Sequence, residues 1–108
     1  MTRFSKRTRD WLKSVIRQRE HLLKTGASKV PELPARLAIE ELKRYLDAYS
    51  FNNDVNMARF LSRNKDKVSA ILPGTGSTSF TRRRSEFREL CSEARTILRE
   101  PVKIEFDV

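Results

Sequence analysis

The sequence predicts an all-α fold of about five helices with a short C-terminal β-strand. Three observations predict it. Apolar residues recur at spacings of three and four over most of the chain, as one face of an amphipathic helix requires. Prolines, glycines and short polar clusters interrupt these stripes where helices should end. The tail alone, residues 102–108, changes to a two-residue repeat. The chain has 108 residues, 38% of them apolar. That suffices for one small core and not for two, so residues 1–108 are expected to form a single domain.

Residues 1–26 read as a basic N-terminal helix. Trp11, Leu12, Val15, Ile16, Leu22 and Leu23 form its stripe over 7–24, Arg19 interrupts that stripe, and Gly26 is a suitable stop. Thr25–Pro34, with one glycine and two prolines, reads as a linker. A helical core over 34–98 follows. Pro34 suits a first helical turn, and Ala35, Ala38, Ile39, Leu42, Tyr45, Leu46 and Tyr49 continue from it as one stripe. Phe51-Asn52-Asn53-Asp54 breaks that helix. A two-turn helix with Val55, Met57, Ala58 and Leu61 then starts from a cap at Asn53 or Asp54. Ser62-Arg63-Asn64 reads as a turn. Val68, Ile71 and Leu72 give the next short helix its buried edge, and Pro73-Gly74 ends it. Residues 74–79 are a loop by composition. Phe80, Phe87, Leu90, Cys91, Ala94, Ile97 and Leu98 line the last helix, which Pro101 ends. In the tail Val102, Ile104, Phe106 and Val108 alternate with charged residues, the pattern of a half-buried strand.

Lys and Arg number 23 against 14 Asp and Glu, for a formal charge of +9. The surplus is localised. Residues 1–30 carry nine basic and two acidic side chains, and residues 59–84 carry seven basic against Asp66 alone. The intervening and final segments are each slightly acidic. Such concentration is the electrostatic footprint of a polyanion binder. A lone cysteine forms no internal disulfide, no apolar run approaches the ~20 residues of a membrane span, and the N-terminus lacks the apolar stretch of a signal peptide. The expectation is a soluble intracellular protein, cytoplasmic and nucleoid-associated, or nuclear in a eukaryotic or viral setting.

Residues 54–73, two short helices across a tight turn between longer helices, resemble the helix-turn-helix of Cro/repressor-type DNA-binding proteins. Ala58 supplies the small side chain where such helices approach, and Met57, Leu61, Val68 and Ile71 occupy the apolar positions. Two positions depart from that pattern: Ser62 stands where the turn usually begins with glycine, and Arg63 where an apolar residue follows. The resemblance implies that the second short helix reads bases in the major groove through Asn64, Lys65, Asp66, Ser69 and Ala70. Phosphate contacts would come from Arg59, Arg63 and Lys67, and from Ser77, Thr78, Ser79, Arg82, Arg83 and Arg84 at the start of the last helix. Arg7, Arg9, Lys13 and Arg17 of the first helix would add to them.

Catalysis is not expected. His21 is the only histidine and sits on a polar helix position, while Cys91 belongs to an apolar stripe and reads as an inert buried thiol. Glu105 and Asp107 share a strand face with nothing nearby to complete a metal site, no Cys/His spacing suits zinc, and no cofactor motif occurs. The sequence therefore points to a sequence-specific double-stranded DNA-binding protein, a transcriptional regulator or DNA-organising factor, with no membrane partner. Homodimerisation through residues 102–108 would pair half-sites. Two alternatives fit the same charge: a protein binding duplex RNA, and a small basic protein targeting an acidic protein surface.

Overall fold

The computed structural model describes residues 3–26, 31–48, 53–72 and 78–99, and these contain five helices and no strand. The helices are α1 (Phe4–Thr25), α2 (Glu32–Ala48), α3 (Asp54–Arg63), α4 (Lys65–Ala70) and α5 (Thr78–Arg99). The all-α expectation stands among the described residues. The expected strand and dimer contact at 102–108 lie outside them, as does Ser77.

Helices α1 and α2 run antiparallel, with Lys43 meeting Glu20 at 3.1 Å. Helices α1 and α5 are also antiparallel, joined by Arg7–Glu93, Trp11–Glu86 and Arg83–Ser14 hydrogen bonds. Helix α3 packs against α5 and α1, and α4 against α2. One core gathers Leu12, Val15, Leu42, Met57, Leu61, Val68 and Ile71, all fully buried, with Leu90 and Ala94 of α5. The N-terminal helix is thus part of the core rather than an appendage. Burying each such aliphatic side chain contributes about 1.5–3 kcal/mol.

The first helix begins at Phe4, inside the expected 1–26 and three residues before the apolar stripe expected over 7–24, because Phe4, Ser5 and Thr8 are themselves buried. Its N-cap, Arg3, makes no side-chain cap hydrogen bond. Asp54 supplies the missing acceptor from a distance: its Oδ1 takes the Ser5 backbone N–H at 2.9 Å. Gly26 ends α1 as expected, in the left-handed conformation with φ 72°, its N–H donating to the Leu22 carbonyl. Helix α2 starts at Glu32, two residues before Pro34, so the proline still lies in the first turn.

Asn53 caps α3, its Oδ1 accepting the amides of Val55 and Asn56 at 2.8 and 3.2 Å. The three-residue turn expected at Ser62–Asn64 is corrected to a single residue. Helix α3 continues through Arg63, and Asn64 alone separates it from α4. Asn64 has φ −112° and ψ 20°, and no described non-glycine residue has positive φ. The turn therefore needs no left-handed backbone, which is why Ser62 can stand where glycine is usual. Helix α4 ends at Ala70, and the amides of Ile71 and Leu72 close back on the Val68 and Ser69 carbonyls while both side chains stay buried.

Arg19, the break in the first apolar stripe, is 1% exposed and is the largest fully buried side chain. Its Nε donates to the Ile71 carbonyl at 2.9 Å, so α1 closes the end of α4. Burial pushes this guanidinium below its ordinary pKa.

Candidate nucleic-acid interface

The short helix α4 presents Lys65, Asp66 and Ser69 to solvent and half-buries Ala70. Asn64 does not join them. It is 8% exposed, and its Nδ2 donates to the Phe60 carbonyl at 2.8 Å, so the side chain is held in the turn and turned away from any groove. The solvent face of α4 is therefore one helical turn.

Several expected phosphate ligands are engaged within the fold. Arg7 holds Glu93 through two hydrogen bonds of 2.6 and 3.3 Å, a pairing that raises its pKa against the opposing effect of burial. Lys67 meets Glu41 of α2 at 3.2 Å. Arg83 is half-buried and donates to Gln18, Ser14 and Glu86, which makes it a brace between α1 and α5. Arg84 donates to Thr81, and Arg82 lies 4.0 Å from Glu86. Thr78 and Ser79 fall inside α5 rather than in a preceding loop, and their side chains lie outside what is described.

Other cations are exposed. Lys13 and Arg17 on α1, Arg59 and Arg63 on α3 and Lys65 on α4 form no ion pair with a described carboxylate, and neither does the half-buried Arg9. The sequence reading missed a third group. Arg88, Arg95 and Arg99 of α5 are exposed, and at 100° per residue they share an arc of about 40° with serines 85 and 92 beside them. The 88, 95, 99 spacing was visible as a helical stripe, but the net charge of residues 85–108 is slightly negative and concealed it.

Cys91 of α5 is half-buried: burial pushes its thiol pKa up, while Lys65 and Arg95 pull it down. Lys65 of α4 and Arg95 of α5 thus both act on this thiol. Glu86 and Glu93, which bind Trp11 and Arg7, occupy the opposite side of α5. The arc itself carries no acidic side chain, with the exposed Glu89 about 100° round α5 from Arg88.

Elsewhere the surface is mixed. A groove of about 590 Å³ between α1 and α2 is rimmed by Glu20, Lys24, Arg36, Glu40 and Lys43, with His21 exposed at its edge. Lys43 pairs with Glu20 there, so the groove holds no one-signed field. No three His, Cys, Asp or Glu side chains gather among the described residues in a way that could hold a metal ion. No described helix is long and apolar enough to cross a membrane. The chain matches no family model, no curated protein and no solved structure.

Proposed function

We propose that this protein binds double-stranded DNA through the α4–α5 surface, with the exposed turn of α4 in the groove and the arginines of α5 on the phosphates. One observation carries the reading: Lys65 on α4 and Arg88, Arg95 and Arg99 on one arc of α5 are exposed and free of carboxylate partners among the described residues. A patch that leaves them unpaired favours a polyanion by release of condensed counterions. Lys65 and Ser69 are placed to reach base edges, and Arg88, Arg95 and Arg99 to position the backbone. The role that follows is a regulator or DNA-organising factor.

Anisotropy titration of a labelled duplex between 50 and 200 mM salt tests this. Four cations in the interface give a log–log salt slope of about −3.6, and Lys65→Ala reduces its magnitude by about 0.9. Ser69→Ala leaves the slope and narrows the difference between preferred and random duplexes. Binding insensitive to salt would refute the reading, and tighter binding of an A-form RNA duplex at equal salt would reassign it to RNA.

A further inference from the structure

Helix α1 carries its own one-signed stripe. Lys6, Lys13, Arg17 and Lys24 are all exposed, and at 100° per residue they fall within an arc of about 40°. They span about 27 Å, the length of roughly eight base pairs. Among the described residues none of the four forms an ion pair. Asp10 and His21 lie at the edge of the stripe, and Glu20 and Asp47 line the neighbouring shallow groove of about 330 Å³ with Lys13 and Arg17.

The stripe does not extend the α4–α5 patch. Arg7, Ser14 and Gln18 mark the side of α1 that meets α5, about 100° round the helix from the stripe. On α5, Arg83, Glu86 and Glu93 mark the side that meets α1, and Arg88, Arg95 and Arg99 lie on the far side. On the route from one cation group to the other, Glu93 is paired with Arg7 and Glu86 with Arg83, so the seam between the groups is mixed in sign. The two cation groups thus face different directions across a seam of paired charges, and a stiff duplex lying along one of them does not lie along the other.

We propose that the α1 stripe is a second, separate DNA-binding face, so that a single copy of the protein bridges two duplex segments. The inference rests on the α4–α5 reading for the first segment and on charge complementarity for the second. A duplex is the occupant favoured, because the stripe is straight, regularly spaced and flanked by no exposed apolar side chain on α1 that a peptide would need as an anchor.

Bead-bound duplex is incubated with full-length protein and a fluorescent second duplex, and the captured fluorescence is read beside single-duplex anisotropy. Wild-type protein captures the second duplex. Its single-duplex salt slope stays near −3.6 rather than the roughly −7 expected if all eight cations served one duplex. Lys13→Gln with Arg17→Gln lowers capture at least tenfold and single-duplex affinity less than threefold. Lys13→Arg with Arg17→Lys, which keeps the charge, restores capture. Helicity by circular dichroism confirms that each variant folds. If wild type shifts no duplex, the α4–α5 reading itself fails. If it shifts one duplex and captures no second, or if capture survives the Gln variant because copies associate, the bridging proposal is overturned and the first reading stands.

Discussion

Single side chains hold this fold together across long sequence distances. Asp54 opens α3, yet its carboxylate serves the first turn of α1, where Ser5 is 2% exposed and its amide has no water to turn to. Asp54→Ala should therefore cost about 1–3 kcal/mol in urea denaturation, the desolvation penalty of an unbonded buried N–H. Asn53→Ala, which removes an ordinary exposed cap, should cost about 1 kcal/mol. Equal losses would show that the Ser5 amide finds another partner. Thr8 offers the opposite sign. Its hydroxyl is wholly buried and has no hydrogen-bond partner among the described residues. Thr8→Val keeps the shape and removes the orphan, so a gain of about 1–2 kcal/mol is expected in the same assay.

What the sequence concealed at this scale were polar side chains acting at a distance. Arg19 looked like a flaw in an apolar stripe and is the buried clasp on Ile71. Asn64 looked like a base reader and is a strut within the turn. Periodicity assigns each residue to a face of its own helix, but says nothing of which distant carbonyl or amide a buried polar atom will meet.

Among the elements, α2 was the most legible because its stripe is unbroken and sits between clear stops. The starts of α2 and α5 lie two residues earlier than expected, at Glu32 and Thr78, while the first turn of α1 is served by Asp54 of α3 rather than by a local cap. Cys91 reports on the junction of α4 and α5. With its thiol held above the usual range by burial, it should alkylate with iodoacetamide at pH 8 more slowly than an unfolded control. The folded state favours the protonated thiol. The small stability this contributes is present below the ordinary thiol pKa and is lost as pH rises through the raised value. Bound duplex should slow the alkylation further by covering Lys65 and Arg95, and an unchanged rate would place the DNA elsewhere.

The molecule as a whole has one core to which all five helices contribute. The all-helical class was therefore legible from stripe periods alone, whereas the arrangement of charge was not, because it depends on which sides of α1 and α5 face each other. A single core implies a single unfolding event. Trp11, the only tryptophan, stacks on Phe87 with centroids 5.8 Å apart and donates its indole N–H to Glu86. Its fluorescence should be lost at the same urea concentration that abolishes helicity, and an earlier fluorescence midpoint would reveal α1 peeling away independently.

The antiparallel seam of α1 and α5 also sets the timetable of the nascent chain. The first helix emerges from the ribosome with Leu12, Val15 and Trp11 already in place, but Glu86, the partner of Trp11, lies 75 residues behind it, followed by Phe87. At the usual ~5–20 residues per second, several seconds pass before those partners exist. Throughout that wait α1 can be covered only by α2 and α3, which emerge first, and Trp11 lacks the ring and the carboxylate it packs against.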